Sequence, residues 1–498
     1  MKKSQIITII LLAVLLVGLG VGYIIMKDYK TEKEMKEAAE EETATISLGA
    51  VNSEEITAIS YKYNDVLVEL VKEGDSWEHK ESGAPIDEEK SLMMTDALSS
   101  IDAIKVITDN TDNLEEYGLD KPTVSYTVTT SAGKTYSLSF GLKLTTTESA
   151  YYALYNDDNK VYSMSANYYE PFAVTLADIT AILDEINVDA DKITGVDVST
   201  KEGYELSVEQ IENVAEDEYY TWEIKKPYSN VMADTDRWKV KLNAYGSMQY
   251  KKCVAYNAEQ YTEYGLDDPY ATVKIDYYTV EGEDADVEVT PAPDAKREYA
   301  QFILEIGDEV TIDDSTYYYV RPDGSSNIYV MDAVEVLNLY NYKAYEVADS
   351  CIYSELVDEI YGFDVEYGDV KLVIERKDEK PVSTPKPGTP KKKKDTINVY
   401  YVNGKKVEEE DALNLYSFAY LLECSGEVNA EDEILNAKPA LQITYYPKEG
   451  EDVVVKYLPY KNENFYQIDK NGMKYFLTDK RGIDTLIKNY EEFINNKL

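Results

Sequence analysis

The first pattern along the chain is an apolar run without charged residues, Ile6–Met26. As a helix its 21 residues would extend ~31 Å, which is about the thickness of the hydrocarbon core of a bilayer. A cleaved signal peptide is the alternative, but the run is longer than the usual apolar segment of such a peptide and no small-residue cleavage site ends it. The pattern therefore favours an uncleaved transmembrane anchor at 6–26, preceded by a short N-terminal segment, residues 1–5.

The charges beside this run bear on its orientation. Lys2 and Lys3 precede it, and four lysines follow it within residues 27–36. A count of positive charges alone would place the C-terminal part in the cytoplasm. Long domains, however, translocate largely regardless of flanking charge, and a short basic N-terminus is typical of secretory signals. We expect a single-pass protein of the cell membrane whose large C-terminal part is extracytoplasmic.

Residues 27–45 alternate in charge sign, and Glu32 stands four residues before Lys36. Such i,i+4 pairs support a solvated helix. No apolar face accompanies the charges. The segment is therefore predicted to be a charged stalk.

Beyond residue 45, apolar and polar positions alternate in short segments, which indicates β-strands. Ile56–Lys80 is predicted to form hairpin strands around a turn at Gly74-Asp75, and a second hairpin pairs Val124, Tyr126 and Val128 with Tyr136, Leu138 and Phe140. Between them, Met94, Leu98, Ile101 and Ile104 have helical spacing, and a linking helix is predicted over Pro171–Ile186. One unit is therefore predicted to be α+β.

The pattern is repeated along the chain. "YGLDKP" at 117–122 returns as "YGLDDP" at 264–269, and "YSLSFG", which ends at Gly141, is matched by "FILEIG", which ends at Gly307. The second copy is longer, and the extra residues fit within Glu281–Tyr299 as a hairpin extension that preserves strand register. Ten residues after each glycine a tyrosine pair begins, Tyr151-Tyr152 and then Tyr317-Tyr318. A strand that ends in methionine follows each pair, at Met164 and Met331.

A degenerate third copy follows, in which the Tyr-Gly-Leu-Asp phrase is lost but the strand order is kept. It carries a Pro- and Lys-rich insertion of its own, residues 377–395, which is predicted to be a solvated loop. The predicted architecture is therefore α+β, with an N-terminal transmembrane helix and three tandem units of antiparallel sheet plus helix, at 46–184, 185–347 and 348–498.

The repeated phrase is predicted to stop a helical turn. Its residues are Tyr117, Gly118, Leu119, Asp120 and Pro122 in the first copy and Tyr264, Gly265, Leu266, Asp267 and Pro269 in the second. Asn113 with Glu116, and Asn257 with Gln260, are candidate capping pairs, the glycine suits a left-handed stop, and the proline forbids continuation. We expect the aspartate to accept bonds from backbone amides in the turn. This structural role is favoured over a pair of catalytic carboxylates.

Charge and composition exclude several classes of function. With 95 acidic against 50 basic residues, the net charge of −45 opposes binding to nucleic acid. The 47 tyrosines argue against a disordered chain. Cys253, Cys351 and Cys424 fit neither a disulfide framework nor a metal knuckle, so they are expected to be small core residues.

Candidate chemistry is sparse. The single histidine, His79, follows Ser76 in "GDSWEHK", but a hairpin turn explains this segment better than a nucleophile–base pair. Asp109–Glu116 gathers oxygen ligands without the spacing of a calcium loop. No phosphate-binding loop or hydrolase elbow is present in the sequence. The sequence thus predicts no catalytic residue, no cofactor and no metal ligand.

The two phrases, with the glycine, the tyrosine pair and the Met-ended strand that follow each, resemble the bacterial family described as domain of unknown function 4340. The resemblance covers the first two units well and the third weakly. Its members are commonly membrane-anchored and often encoded beside ABC transporter components of the gliding-motility type. The resemblance implies an envelope location and an ABC transporter permease as partner, and it carries over no catalytic residue.

Two classes of function remain. The first is a noncatalytic, membrane-anchored extracytoplasmic scaffold or accessory protein that serves an ABC-type transporter. The second is an envelope glycan-binding protein or hydrolase whose active site the sequence does not identify.

Overall fold

The computed structural model describes residues 45–145, 149–212, 219–281, 296–379, 397–429 and 437–498. The predicted anchor, the segment before it and the predicted stalk up to residue 44 lie outside the described residues, as does most of the predicted loop at 377–395. Over the described ranges, every helix is too short or too polar to cross a bilayer.

The first sheet is antiparallel and contains nine strands in the order β1-β5-β9-β8-β7-β6-β2-β3-β4. Its strands are β1 Ile46–Gly49, β2 Ile56–Tyr63, β3 Val66–Glu73, β4 Ser76–His79, β5 Ile101–Thr108, β6 Val124–Thr130, β7 Thr135–Lys143, β8 Ala150–Tyr155 and β9 Val161–Ser165.

The second sheet also contains nine strands, in the order β13-β12-β11-β10-β15-β16-β17-β18-β14. Its strands are β10 Ile193–Thr200, β11 Glu205–Gln210, β12 Trp222–Lys226, β13 Val231–Met232, β14 Lys252–Ala255, β15 Ala271–Val280, β16 Arg297–Ile312, β17 Ser315–Pro322 and β18 Ile328–Asp332. Val280 pairs with Arg297, as the predicted hairpin extension requires.

The third sheet has the order β22-β21-β20-β19-β24-β25-β26-β27-β23. Its strands are β19 Ile360–Tyr367, β20 Val370–Glu379, β21 Ile397–Val402, β22 Lys405–Val407, β23 Gly426–Glu427, β24 Leu441–Pro447, β25 Val453–Pro459, β26 Phe465–Lys470 and β27 Phe476–Asp479. The prediction of antiparallel sheets with a few helices is therefore confirmed, and a third sheet exists where the repeated phrase has been lost.

The three sheets share one order over eight strands. The run β5-β9-β8-β7-β6-β2-β3-β4 corresponds to β14-β18-β17-β16-β15-β10-β11-β12 and to β23-β27-β26-β25-β24-β19-β20-β21. The ninth strand lies beside β5 in the first sheet and at the opposite edge in the other two. The sheets lie within the predicted units, whose boundaries stay a prediction.

The helices are short except for the last one. They are α1 Glu88–Asp96, α2 Leu176–Ile179, α3 Thr235–Gly246, α4 Ala333–Tyr340, α5 Ala344–Val347, α6 Glu409–Tyr420 and α7 Lys480–Lys497. Single 3-10 turns occur at Ser53–Glu55, Leu114–Tyr117, Ala166–Tyr168, Glu170–Phe172, Ala190–Lys192, Thr262–Tyr264 and Val357–Glu359.

By packing, the chain divides into two compact units. The first comprises the described residues up to Glu185 together with Tyr250–Glu259 and Ser325–Val330. The second comprises Ile186–Gln249, Gln260–Gly324 and Met331–Leu498.

The core of the first compact unit lies on one face of its sheet, because successive side chains of a strand point to opposite faces. Alternate residues of β6 and β7 are buried there, and the ring of Phe172 stacks on Tyr126 with centroids 3.7 Å apart. Met94 of α1 is fully buried in the same cluster.

In the second compact unit, tyrosine hydroxyls join helices in pairs. Tyr245 of α3 donates to the Leu339 carbonyl of α4 over 2.8 Å, and Tyr490 of α7 donates to the Leu415 carbonyl of α6 over 3.0 Å. Both rings are fully buried. A buried tyrosine thus adds apolar area while its hydroxyl is satisfied by a helix carbonyl.

The predicted hairpin of Val124, Tyr126 and Val128 is confirmed, since these residues pair with Phe140, Leu138 and Tyr136. Ile56–Lys80 forms three strands rather than two. The prediction missed a second two-residue turn at Asn64-Asp65, where both residues have positive φ. Asn and Asp tolerate that conformation and favour this hairpin turn.

Two predicted helices were wrong. α1 ends at Asp96, and Ile101 and Ile104 lie on β5, because β-branched residues in the run Ile101–Thr108 favour a strand that pairs with β9. The predicted helix over Pro171–Ile186 is a 3-10 turn followed by the four-residue helix α2. It stops where Thr180 turns to an extended conformation and bridges to Ile86.

Candidate functional site

The first copy of the repeated phrase is a 3-10 turn closed by a left-handed glycine. Gly118 has φ 67° and ψ 21°, its N–H donates to the Glu115 carbonyl over 3.1 Å, and the Leu119 N–H donates to the Leu114 carbonyl over 2.9 Å. Leu119 is buried. This is a helix stop accompanied by an apolar contact.

The turn lies against the face of the first sheet opposite the core. Phe140 points into the core, so the next residue of β7, Gly141, faces the other way. A Cβ on Gly141 would lie less than 3.0 Å from the backbone of Tyr117 and Gly118. Position 141 therefore requires glycine, because the backbone of the turn approaches it too closely for a side chain.

The second copy has the same geometry. Gly265 has φ 68° and ψ 19°, Leu266 is buried, and a Cβ on Gly307 would clash with the Tyr264 carbonyl. The motif tyrosine also has the same partner in both copies. Tyr117 lies 5.0 Å from Tyr152, and Tyr264 lies 5.0 Å from Tyr319, between ring centroids.

The tyrosine pairs correspond one residue later than predicted. Phe140 of β7 pairs with Ala153, and its equivalent Ile306 pairs with Val320. Tyr152 therefore corresponds to Tyr319. The register irregularity is the same in both copies, between Phe140 and Lys143 and between Ile306 and Glu309, so the additional residue lies in the β16–β17 connection that follows it.

The capping predictions were only partly right. Asn113 stands at the N-cap, but its amide donates to the Glu116 carboxylate over 3.1 Å rather than capping the backbone. In the second copy the turn begins after Tyr261, and Asn257 instead accepts from Ser326.

The aspartates of the motif also differ from the prediction. Asp267 accepts a hydrogen bond from the Thr262 hydroxyl rather than from a backbone amide. Asp120 is exposed, and no hydrogen bond to it is found among the described residues. Pro122 and Pro269 each lie a few residues before the next strand, β6 and β15.

His79 does not approach Ser76 as a base would. Ser76 begins the short strand β4 and His79 ends it. His79 Nδ1 lies 2.8 Å from the Ser82 hydroxyl in the following turn instead. In the segment Asp109–Glu116 the Asn110 amide donates to Asp112 over 2.8 Å. Among the described residues no group of three or more His, Cys, Asp and Glu side chains is arranged to hold a metal ion.

A carboxylate outside these motifs is held by several donors in the first compact unit. Asp184 accepts from the Ser325 and Tyr329 hydroxyls, each over 2.6 Å, and from the Asn327 amide over 3.1 Å. Burial opposes ionisation of Asp184, but hydrogen bonds from Ser325, Tyr329 and Asn327 hold its pKa below the usual value. Asp184 is thus an ionised carboxylate with a structural role, and its hydrogen bonds come from neighbouring side chains of the same unit.

A cavity of about 600 Å³ lies within the second compact unit. Its walls come from the edge of the second sheet around β13, from residues 349–355 and from β26 and β27 of the third sheet. The segment Ala348–Cys351 links these parts, because Ala348 bridges to Ala233 and Cys351 bridges to Glu423. The apolar walls are Ile211, Val231, Met232, Ile352, Ile468, Met473, Tyr475 and Phe476.

Aromatic contacts hold one wall in place. Tyr228 lies 5.0 Å from Tyr475 and 4.9 Å from Phe476 between ring centroids, and its hydroxyl donates to Glu427 over 2.6 Å. The Ser229 hydroxyl lies 2.9 Å from the Tyr475 hydroxyl. The cavity therefore has a wall with fixed ring positions.

The polar part of the cavity contains two thiols. Cys351 and Cys424 are partly buried and free, whereas Cys253 is fully buried. The prediction of core cysteines thus describes only Cys253. Burial raises the pKa of Cys424 to about 12 and also raises the pKa of Cys351, so both thiols are protonated at neutral pH.

The same part contains one ammonium group and two carboxylates. Asp349 accepts from the Tyr220 hydroxyl over 2.9 Å and from the Cys351 amide over 3.1 Å. Glu355 is exposed. Within the described part of the chain, the Lys470 ammonium has no hydrogen bond or ion pair. Burial lowers the pKa of Lys470, and the nearby thiols and carboxylates do not reverse that shift.

The family model described as Domain of unknown function (DUF4340) matches residues 77–221 and again residues 222–416. No curated protein and no solved structure matches the chain.

Proposed function

The chain belongs to the family described as Domain of unknown function (DUF4340), and from this premise we propose that it is a noncatalytic accessory or scaffold protein of the cell envelope. Residues 6–26 anchor it in the cell membrane, the rest of the chain from residue 46 is extracytoplasmic, and an ABC-type transporter permease is its partner.

The observation that supports this proposal is the repetition of one sheet. Three nine-stranded sheets share the order of eight strands, and the family model itself matches twice. Tandem copies of one module present extended surfaces to which partners bind. The repeated Tyr-Gly-Leu-Asp phrase is explained by chain folding, because its glycine stops a turn and a second glycine receives that turn.

The strand faces opposite the cores of the second and third sheets carry paired charges. On the second sheet, Lys274 lies 3.1 Å from Asp197 and 3.4 Å from Asp276. On the third sheet, Lys371 lies 3.0 Å from Asp364 and 2.8 Å from Glu366. Ion pairs at a sheet surface add little stability where they are exposed, but they keep the surface soluble and set which partner surface it accepts.

Orientation can be tested on intact cells. Protease added to wall-stripped cells should remove the chain from residue 46 onward and leave the anchor in the membrane. A control in which residues 1–26 are replaced by a cleavable signal peptide should be released as a soluble protein. Protection of the whole chain, or a mature N-terminus beyond Met26, would contradict the proposal.

The partner can be tested by copurification. Full-length protein with a C-terminal tag, cross-linked in cells and solubilised in mild detergent, should bring an integral membrane permease with it. The His79→Ala variant serves as a control and should copurify the same partner. Recovery of no membrane protein, together with a His79-dependent hydrolytic activity on envelope material, would support an envelope hydrolase instead.

A further inference from the structure

Lys470 occupies a strand position that faces the core. Tyr457 of β25 pairs with Ile468, as Phe140 pairs with Ala153 and Ile306 with Val320. Two residues further along each strand, Lys470 therefore corresponds to Tyr155 and Pro322. Both of those residues are buried, so the third sheet has an ammonium group where the other two have an uncharged side chain.

A charge at such a position is costly unless it is paired. Lys470 is half-buried, so its ammonium is only partly desolvated, and leaving it without a partner costs less than for a fully buried charge but is still unfavourable. Lys470 lines the cavity, and none of the described residues accepts a hydrogen bond from its ammonium. The cavity is thus a place where an anionic group of a ligand would gain an ion pair that the protein does not itself supply.

The surrounding carboxylates restrict the charge of that ligand. Asp349 and Glu355 line the same cavity as Lys470. A ligand with only negative charge would meet these two carboxylates, and a ligand with only positive charge would meet Lys470. A ligand that carries one group of each sign can satisfy both. Asp349 retains acceptor capacity, because an ionised carboxylate can accept about four hydrogen bonds and it accepts two here.

The remaining walls fit an apolar side chain. The volume of about 600 Å³ lies within the range of small-molecule sites, ~300–1,000 Å³. Met232, Met473 and Phe476 are among the residues that line it. Methionine side chains adapt to ligands of varied shape.

We propose that this cavity binds a small zwitterion with an apolar side chain, that is, an amino acid or short peptide. Lys470 pairs with its carboxylate, and Asp349 and Glu355 face its ammonium. This assignment is independent of the transporter proposed as partner, because it concerns the purified chain alone.

Calorimetric titration of the detergent-solubilised full-length protein tests the site with leucine and with leucyl-leucine. At least one of the two should bind saturably. Its N-acetyl derivative lacks the ammonium and its amide lacks the carboxylate. Each derivative should bind at least about 30-fold more weakly, which is the size expected when one partner of a desolvated charge pair is removed.

Lys470→Met provides the decisive variant, because methionine keeps most of the volume and removes the charge. It should weaken binding at least about 30-fold. Its thermal unfolding without ligand should occur at the wild-type temperature or above, since a half-buried charge without an ion pair is lost. The control Lys456→Met alters the neighbouring strand β25. Lys456 lies between the buried residues Val455 and Tyr457, so its side chain is on the opposite face of the sheet. This control should bind within about twofold of wild type.

Three results would overturn the assignment. One is the absence of saturable binding by either zwitterion. Another is unchanged affinity in Lys470→Met. The third is equal affinity for the N-acetyl or amide derivative, which would show that the charges are not read. None of these results affects copurification with a permease, so the two proposals can fail separately.

Discussion

Replacement of Gly141 by alanine tests whether the repeated phrase is a structural device. The added Cβ would lie 2.8 Å from the Gly118 carbonyl carbon and closer still to the Tyr117 carbonyl oxygen. Both obstacles are backbone atoms, which cannot rotate away as a flexible side chain can. Overpacking of this kind typically costs ~1–3 kcal/mol, and we expect ~2–3 kcal/mol here.

The assay should report the turn locally, because a chain with several sheets does not unfold in one step. Native-state hydrogen exchange of the Gly118 and Leu119 amides, which donate to Glu115 and Leu114, measures opening of this turn. A cost of ~2–3 kcal/mol corresponds to exchange roughly 30- to 150-fold faster. Amides of the third sheet should exchange as in the wild type.

A matched control and a double variant sharpen the test. Gly195→Ala also adds a Cβ on a strand, but its nearest neighbour is a carboxylate oxygen of Asp276 at 3.3 Å, the mobile end of a side chain, so it should cost less than ~1 kcal/mol. Gly118→Ala strains the left-handed glycine and should cost ~1–2 kcal/mol. Once either change displaces the turn, the other clash is relieved, so the double variant should cost less than the sum. Strict additivity, or exchange in Gly141→Ala within twofold of wild type, would refute the close-approach argument.

Three further predictions concern single side chains. Asp184→Asn should lower the free energy of unfolding of the first compact unit at pH 7 by ~2 kcal/mol. Because the folded pKa of Asp184 is lowered, this advantage of the wild type is present above the unfolded pKa of ~3.9 and is lost as the pH falls through the folded pKa, so the free energies of wild type and variant from urea melts should differ at pH 7 and converge in acid. His79→Ala should change the free energy of unfolding by no more than ~1 kcal/mol and leave the gene's phenotype intact, because the hydrogen bonds of the ring among the described residues are to the hydroxyl and the amide of Ser82 in an exposed turn; a lost phenotype in a folded variant would contradict this. Leu266→Ala should cost ~2–4 kcal/mol by hydrogen exchange of the second turn, whereas Leu356→Ala, at an exposed leucine, should cost less than ~0.5 kcal/mol; equal effects would show that Leu266 is not a packing contact.

Sequence patterns predicted the strands best where alternation and a turn agreed. Val124–Phe140 was predicted with its exact pairing because a glycine turn separates two runs of period two. The run from Met94 to Ile104 was misassigned because Met94 in the helix, Leu98 in the turn after it and Ile101 and Ile104 on the strand happen to fall at helical spacing. The β-branched residues after Ser100 were the available sign that the helix had ended.

Other features depend on tertiary packing and have no local signal. Tyr-Gly-Leu-Asp was correctly predicted as a turn, but the reason that Gly141 follows it in the repeat, close backbone approach across the sheet, is visible only in three dimensions. Asp267 bonds the Thr262 hydroxyl because the second turn begins later than the capping pattern suggested. Such choices among nearby donors are decided by geometry rather than by residue type.

The cavity illustrates how divergence within a repeat can create a site. The first and second sheets keep the turn phrase, and they have Tyr155 and Pro322 at a buried position where the third sheet has Lys470. A tyrosine or a proline at that position can be buried without a charge, whereas a lysine there requires space and a counter-ion. The third sheet provides the space between β26 and residues 349–355, and it lacks the ion pair. From sequence alone this lysine looks like any charged residue after a strand, because its core-facing register becomes apparent only when the three strand pairings are aligned. A half-buried lysine that faces a cavity and has no ion pair within the described residues is what the proposed zwitterion would need, because its carboxylate would supply the counter-ion.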